Sequence, residues 1–223
     1  MKVINQSKRI TLFPYEIKAI TFERLSDFIN PIMKLGFLPQ AKKGLSIKFD
    51  NEKNENIIED SWGVDFISDE EESFKISING DRVDLTSNSN KSWVSFKEEC
   101  NPIINKLRSI FAHGFSRLAL GYIITKEGTK EELLAEGFVD VNKVDQSNIR
   151  EFMTQEVKLL QLEEDPQLKY NHVITQIYNP IRENYKFKIG YDINTLPELH
   201  KTIIERNESN FFNKIVNQLQ NLF

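Results

Sequence analysis

The chain has 223 residues, of which 39% are hydrophobic and 28% charged, a composition typical of a folded protein rather than a disordered one. Its net charge of −4 argues against a general nucleic-acid or acidic-membrane binder, because such proteins need a cationic surface that displaces counterions. A single cysteine, Cys100, excludes an internal disulfide.

Hydropathy gives an expected location. Residues 1–13 lack the continuous apolar segment of a signal peptide. The longest apolar run, Leu118–Ile124, is too short to span a bilayer. We therefore expect a cytoplasmic protein. Its sixteen Phe residues indicate a core built on aromatic side chains.

An eleven-residue pattern occurs twice in the chain. Asn101–Phe111 aligns without a gap on Asn213–Phe223, at a constant offset in residue number (213 − 101 = 112). The two changes between apolar residues, Ile to Val and Ile to Leu, conserve volume in the way that packed interiors tolerate. A shorter echo places Phe74–Ile76 against Phe187–Ile189, at nearly the same offset (187 − 74 = 113). The two repeats together predict a strand-and-helix unit made twice.

The first part of the chain carries mostly strand patterns. Residues 10–23 predict an extended segment followed by a strand, and the helical spacing from Ser26 ends at Gly36, a C-terminal cap. Polar residues 51–60 predict a surface loop. Further strands are predicted at Leu45–Phe49, Trp62–Ser68, Phe74–Ile78 and, after a turn at Asn79–Asp81, Val83–Leu85.

The first copy of the repeat lies in a predicted helix that packs on a sheet. Its apolar residues follow steps of three and four, which places them on one side of a helix: Trp93, Phe96, Cys100, Ile103, Ile104, Leu107, Ile110 and Phe111. The second copy repeats the spacing with Ile215, Val216, Leu219, Leu222 and Phe223. Cys100 is therefore predicted to be an inert core thiol.

The second part of the chain is less regular. Phe115–Thr125 predicts a strand buried on both faces, and Thr129 caps a short helix. Residues 138–164 fit either a helix or, at Val157–Leu162, a strand. The remaining elements are a strand pair, Val173–Tyr178 with Tyr185–Ile193 around a turn at Asn179-Pro180, then a helix starting at Thr195 and a last helix ending at Phe223.

These elements predict an α+β fold of two tandem related halves. Residues 1–126 form the first half and residues 127–223 the second, each with an antiparallel sheet packed by its own C-terminal helix. We expect the two halves to form one compact unit.

No motif in the sequence predicts catalysis or cofactor binding. The nine glycines never form GxGxxG or a P-loop, and His113, His172 and His200 lack the spacing of a zinc site. We therefore predict no catalytic, cofactor-binding or metal-binding residues and no cofactor. A weak nuclease-like signal remains, because Glu156–Lys158 on a possible strand follows the acidic residues Asp140 and Asp145.

Four strand tyrosines are the candidate partner-binding residues. We expect them to be exposed, where their rings form a protein interface or stack on bases. The protein interface agrees better with the negative net charge. These residues are Tyr170, Tyr178, Tyr185 and Tyr191.

Two groups of aromatic and aliphatic residues carry a resemblance to a known family. The first is Trp62-Gly63-Val64-Asp65-Phe66, Val83-Asp84-Leu85, Trp93 and Phe96 before a helix, and Arg117-Leu-Ala-Leu-Gly-Tyr122. The second is Tyr191-Asp192-Ile193, Leu199-His200 and a closing helix with Phe211 or Phe212. In residues 62–125 and 185–223 the chain resembles a sporadically distributed bacterial family of uncharacterised proteins.

The chain departs from that family's pattern in two places. Gly121 stands where a second arginine usually precedes the tyrosine, and Tyr15-Glu16-Ile17 matches the Pro-rich opening and acidic strand only loosely. The resemblance implies a duplicated α+β architecture and a patchy, mobile-gene distribution of the kind seen for defence, immunity or toxin-neutralising proteins. It implies no catalytic residues.

We therefore expect a non-enzymatic bacterial or phage protein that binds another protein, of the antitoxin, immunity or defence-accessory class. Its partner would be a toxin, an effector, a defence subunit or a second copy of the chain. The alternative is a nucleic-acid or nucleotide binding or processing subunit of a defence system, whose halves form a cleft. A self-associating scaffold is a third possibility, and no interaction with a membrane is expected.

Overall fold

The computed structural model describes most of the chain. The described residues are 1–15, 25–50, 55–68, 73–79, 81–111, 114–135, 152–163, 166–181, 184–196, 203 and 205–220.

Within this part, the chain forms nine strands and four helices. The strands are β1 (Lys2–Pro14), β2 (Phe37–Asp50), β3 (Glu55–Ser68), β4 (Phe74–Asn79), β5 (Val83–Ser87), β6 (Phe115–Gly128), β7 (Phe152–Gln161), β8 (Lys169–Ile181) and β9 (Asn184–Thr195). The helices are α1 (Leu25–Met33), α2 (Trp93–Ile110), α3 (Lys130–Ala135) and α4 (Glu205–Gln220).

All nine strands belong to one antiparallel sheet, in the order β2-β3-β4-β5-β1-β6-β9-β8-β7. At its centre β1 and β6 pair along almost their whole length, from Lys2 opposite Glu127 to Pro14 opposite Phe115. The fold is thus mixed α and β, as predicted, but the expectation of separate sheets in two halves is wrong. The division at residue 126 stays a prediction, although that residue lies inside β6.

One face of the sheet carries the hydrophobic core beneath α1, α2 and α4. Side chains from alternate strand positions are buried there, among them Ile10, Leu12, Ile76, Leu85, Leu120 and Ile193. Rings of the helices meet rings of the strands on this face, as in the pairs Phe74–Phe96, Trp93–Tyr122 and Tyr170–Phe211. Helix α1 joins the same cluster through Phe28, which contacts Phe111. The core is therefore aromatic, as the composition indicates.

The repeated segment lies in α2 and α4, which bury side chains at matching positions. Helix α2 begins after Ser92, whose side chain accepts a hydrogen bond from the Ser95 N–H. The buried side chains of the repeat are Ile103, Ile104 and Leu107 in α2 and Ile215, Val216 and Leu219 in α4. The intervening asparagines, Asn101, Asn105, Asn213 and Asn217, are exposed.

The two helices run antiparallel and are joined by a charged pair. The Trp93 N–H donates to Gln220 Oε1 at 3.1 Å, near the start of α2 and the end of α4. At the other end the Arg108 guanidinium makes two hydrogen bonds to Glu208, from Nε to Oε2 at 3.2 Å and from Nη2 to Oε1 at 2.6 Å. Glu208 is only 2% exposed, and this forked contact stabilises its buried charge.

The ribbon of β2 and β3 is longer than the sequence patterns predict. A short strand at Leu45–Phe49 and a loop over 51–60 were expected, yet β2 and β3 pair continuously from Phe37↔Ser68 to Asp50↔Glu55. Only Gly63–Ile67 of β3 also pair with β4. A two-stranded ribbon is held by backbone hydrogen bonds, so its polar residues show little of the alternation used to predict strands.

Two further predictions are wrong in detail. Strand β8 continues through Asn179-Pro180 to Ile181, so these two residues belong to the strand and not to a turn. Thr195 ends β9 rather than starting a helix, because its side chain bonds the backbone of Leu118 in the adjacent strand. Strand β6 is buried on both faces along most of its length, as predicted: Ala119 and Thr125 on the face away from the helices are 5% and 7% exposed, although Ile123 on that face is 39% exposed. Gly36 also ends the α1 segment as predicted, with φ 86°.

We expect Leu107→Ala and Leu219→Ala each to lower the free energy of unfolding by about 2–5 kcal/mol, because each removes buried apolar volume and leaves a cavity. Urea unfolding followed by circular dichroism measures the loss. Asn217→Ala, on the exposed side of α4, is the matched control and should change stability by less than about 0.5 kcal/mol. Equal losses for Leu219→Ala and Asn217→Ala would contradict the assigned burial.

Arg108→Leu should lower the free energy of unfolding by roughly 3 kcal/mol, since it leaves the buried Glu208 carboxylate without its main counter-charge. The double variant Arg108→Leu/Glu208→Leu should recover much of that loss, because no lone charge then remains buried. Additive losses in this double-mutant cycle would show that the two side chains do not interact.

Candidate functional site on the open face of the sheet

The opposite face of the sheet carries the polar and exposed side chains of the strands. We call this the open face and define it by Arg9 on β1, Gly121 on β6 and Asp192 on β9, which lie in one row across three adjacent strands. The ring contacts of α1, α2 and α4 all lie on the other side. The open face is therefore where the described sheet can meet another molecule.

Two carboxylates on the β3–β5 side of the open face are already satisfied. Asp65 accepts a hydrogen bond from Ser77 Oγ at 2.7 Å and forms ion pairs with Lys42 at 2.8 Å and Lys75 at 3.4 Å. Burial acts to raise the pKa of Asp65, but Lys42, Ser77 and the charge of Lys75 together hold that pKa below its usual value. Asp65 therefore stays ionised as part of a structural network rather than acting as a general acid.

A second carboxylate, Asp84, is held in a similar way. It accepts a hydrogen bond from Thr11 Oγ1 at 2.6 Å and another from Arg82 Nε at 3.1 Å. Asp84 is buried, so these contacts replace the water that it would otherwise bind. The two carboxylates hold neighbouring strands together and leave little acceptor capacity for chemistry.

A cleft of about 270 Å³ opens near the centre of the open face. Arg9 forms one wall, and Gly121 provides the floor, where the absent side chain leaves room for the guanidinium: a Cβ there would lie 3.2 Å from Arg9 Nε. Buried Arg9 Nε has no hydrogen-bond partner within the described residues. The cleft is lined by Ser7, Arg9, Thr86, Gly121, Ile123, Thr175, Gly190, Tyr191 and Asp192.

The cleft combines a cation with a carboxylate. Arg9 and Asp192 flank Gly121 on opposite sides, and no ion pair joins them in the described part of the chain. The other open-face arginine in this region, Arg117, is engaged: it donates to Asn194 Oδ1 at 2.8 Å and lies 4.9 Å from the centre of the Phe13 ring. Arg9 is therefore the group best placed to bind an anionic or dipolar ligand.

The second feature of the open face is apolar and lies at the edge of the sheet. Met153, Val157 and Leu159 of β7 are 61%, 60% and 58% exposed. We call these three residues the β7 apolar surface. It continues onto β8, where Val173 lies opposite Val157 and Ile177 opposite Met153. Aligned exposed apolar residues on an edge strand are typical of interaction surfaces.

The opposite face of β7 carries charge instead. Glu156 and Lys158 form an ion pair of 2.7 Å, and both side chains are more than half exposed. His172 of β8 lies opposite Lys158, and burial, with a contribution from the Lys158 charge, lowers its pKa. The Glu156–Lys158 pair itself is exposed to solvent, where an ion pair contributes little to stability.

The nuclease-like signal is only partly described. Its Glu156 and Lys158 lie on a strand, as that interpretation requires, but Asp140 and Asp145 are outside the described residues. In the described part of the chain no three His, Cys, Asp or Glu side chains are grouped to hold a metal ion. His113 and His200 also lie outside it.

The prediction that the strand tyrosines are exposed is wrong for three of the four. Tyr170, Tyr178 and Tyr191 are buried on the helix side of the sheet, and Tyr185 is partly buried against the core. Burial raises the pKa of Tyr178 to about 12, and its ring stacks on Phe187 at 4.8 Å. The partner-binding role of these residues stays a prediction, but their rings are engaged in packing.

Cys100 is buried in α2, in agreement with the prediction of a core thiol. Burial, and to a smaller extent the charge of Glu99, raises its pKa well above the usual value. The thiolate needed for nucleophilic chemistry is therefore disfavoured.

The sequence interpretation missed both features of the open face. Met153, Val157 and Leu159 occupy odd-numbered positions of a segment that fitted either a helix or a strand, and polar Gln155 interrupts their alternation. Arg9 and Gly121 carry no local motif, because the strand pairing alone brings them together.

Comparison with known proteins adds no function to this geometry. No protein-family model matches the chain, and neither the curated proteins nor the solved structures contain a significant match. Among the described helices, none combines the length and the apolar character needed to cross a bilayer. The residues of the open face are therefore the basis for a functional proposal.

Proposed function

We propose that the protein is a non-enzymatic binding protein that docks another protein on its β7 apolar surface. The observation that carries the proposal is the alignment of Met153, Val157 and Leu159, each more than half exposed, on one face of an edge strand. Side chains of this kind lose contact with water when a partner covers them, and burying the exposed part of each one contributes on the order of 1–2 kcal/mol. Without a partner these exposed apolar side chains contribute no such stabilisation.

The charges beside this surface indicate the chemistry of the partner. Lys188 of β9 lies in the same row as Ile177 and Met153, and it is exposed together with Lys186 on the same strand face. A partner whose apolar surface is bordered by Asp or Glu would place its apolar groups on the β7 apolar surface and its carboxylates beside these lysines. We therefore propose a partner with an acidic rim.

The class of the protein rests on the family resemblance rather than on the surface. On that basis we propose an antitoxin, immunity or defence-accessory factor, acting in the cytoplasm, whose partner is a toxin, an effector or a defence subunit. The β7 apolar surface supports the protein-binding part of this proposal.

We also propose that the fold is duplicated, because two pairs of equivalent positions are separated by the same number of residues. The helical repeat has an offset of 213 − 101 = 112, and Arg9 and Gly121, which face each other across the central strand pair, have the same one, 121 − 9 = 112. If a two-fold axis related the two halves through the β1–β6 pair, equivalent residues would lie opposite each other at that axis, as Arg9 and Gly121 do. Outward from it β5, β4 and β3 would correspond to β9, β8 and β7.

This correspondence changes two details of the sequence interpretation. Phe74–Ile76 lies in β4 and Phe187–Ile189 in β9, strands at different distances from the centre, so the shorter echo does not follow the proposed duplication. A division between α2 and β6 also fits the strand order better than one at residue 126. Strand β2 has no described counterpart in the second half.

The cleft favours a second candidate function, the binding of a nucleotide or another small anion. Arg9 offers a guanidinium to a phosphate, and the hydroxyl groups of Ser7, Thr86 and Thr175 line the same space. The adjacent Asp192 carboxylate would repel a highly charged anion, and we therefore rank this function second.

Met153→Lys should weaken capture of the partner, because it places a charge in the apolar contact at a residue that is 61% exposed in the free protein. Tagged wild type and variant are expressed in the native host, and the protein recovered at equal stoichiometry is identified and titrated against each. We expect at least about tenfold weaker binding, or about 1.4 kcal/mol.

Leu38→Lys is the matched control for this experiment. It makes the same type of change at a 48% exposed residue on the other edge of the sheet, in β2. This variant should bind as wild type does. Undiminished binding by Met153→Lys, or an equal loss with Leu38→Lys, would contradict the proposed surface.

For the second candidate, ATP and a single-stranded oligonucleotide are the probes. Binding that falls steeply with added salt and is lost in both Arg9→Met and Gly190→Val would support it. Gly190→Val fills the cleft with little disturbance, since the nearest atom to an added Cβ is 3.9 Å away. Unchanged binding in both variants would exclude the cleft as the binding site.

A further inference from the structure

The edge of β7 carries a second interaction element, distinct from its apolar surface. Strand β7 is the last in the sheet order and pairs only with β8 among the described strands. No backbone group in the described part of the chain pairs with its outer side, which can therefore accept another strand. Ten residues, Phe152–Gln161, are long enough to form a regular antiparallel pair.

We propose that β7 pairs in antiparallel fashion with β7 of a second copy of this chain, about a two-fold axis perpendicular to the sheet at Val157. The two sheets then form one continuous sheet, with both open faces on the same side. The pairing goes beyond the proposed function, which requires only an exposed apolar face and no second copy.

The charges on β7 select this partner and this register. With Val157 opposite Val157 of the second copy, Glu156 lies opposite the second Lys158, and Lys158 lies opposite the second Glu156. Side chains directly opposite in an antiparallel pair have Cβ atoms about 4.5–5.5 Å apart, close enough for both ion pairs to form. The intrachain pair at 2.7 Å shows that these side chains already lie on one strand face.

Neighbouring registers are disfavoured by the same two residues. An axis at Glu156 places the two Glu156 carboxylates opposite each other, and an axis at Lys158 does the same with the two ammonium groups. Like charges directly opposite are destabilising in antiparallel pairs. An edge lysine commonly prevents strand addition, but here the nearby Glu156 turns Lys158 into half of a reciprocal contact.

The open-face side chains agree with this register. Val157 packs on its own copy across the axis, and Leu159 lies beside Gln155 of the second chain, which leaves no charge facing an apolar residue. The two β7 apolar surfaces then adjoin and form one larger surface. In this register the two copies are therefore complementary in charge on one face of β7, in apolar and polar side chains on the other face, and in backbone hydrogen bonds.

Charge reversal with reconstitution tests the proposal. Sedimentation velocity should show a wild-type dimer, whereas Glu156→Lys and Lys158→Glu each raise the dimer dissociation constant by at least about tenfold through like-charge pairs. An equimolar mixture of the two single variants should form heterodimers, because every Lys then faces a Glu. The double variant Glu156→Lys/Lys158→Glu should dimerise as wild type does.

Lys106→Glu is the control, since it reverses a charge at an exposed position on α2 and should leave the dimer unchanged. A monomeric wild type, a dimer indifferent to both single reversals, or a mixture that stays monomeric would each overturn the proposal.

These outcomes are separate from the proposed function. Met153→Lys places its new charge opposite Gln161 of the second copy and should dimerise normally while losing the partner. Loss of dimerisation with partner binding intact would therefore remove only this inference.

Discussion

The pairing of β1 with β6 is the constraint on which the rest of the fold depends. It joins the N-terminal strand to the strand that follows α2, in an antiparallel register that is unbroken from Asn5 to Phe13, with Arg9 opposite Gly121 near its centre. Every other strand extends outward from this pair, β5 on one side and β9 on the other. Buried Ile10 and Leu120 on the helix side tie the same pair to the core. Weakening this pair would therefore divide the sheet in two.

The helices complete the centre of the sheet but do not reach its β7 edge. Helices α2 and α4 lie antiparallel on the core face, locked at one end by the fork between Arg108 and Glu208. The aromatic contact of α4 reaches Tyr170 on β8, whereas β7 has exposed side chains on both faces. The strand order places the β7 apolar surface at the edge of the open face, where none of the described helices packs. A partner protein would cover that surface, and a second copy would complete the backbone pairing of the β7 edge.

Sequence patterns predict the parts of this fold that depend on local spacing. The buried side of α2, the Gly36 cap and the strands around Val83 follow from the helical and strand periodicities and from turn chemistry. Strand order cannot be predicted in this way, because the β1–β6 pair joins residues more than a hundred positions apart. The expectation of two sheets was wrong for this reason.

The candidate site was less predictable than the fold. The strand tyrosines were expected at the surface, yet Tyr178 and Tyr191 lie on the helix side of the sheet and are buried. The cleft depends on Gly121 lying between Arg9 and Asp192, which no local motif encodes. By contrast, the spacing of Met153 and Val157 places both side chains on one face once the segment is assigned to a strand.

Hydrogen–deuterium exchange at increasing protein concentration tests most directly whether the sheet is held at its centre and open at β7. We expect the amides of β1 and β6 to exchange most slowly at every concentration. The outward-facing amides of residues 152–161 should exchange quickly in dilute protein and become protected as the concentration rises. Concentration-independent protection of β7, equal to that of β1, would contradict an edge that is completed by a second molecule.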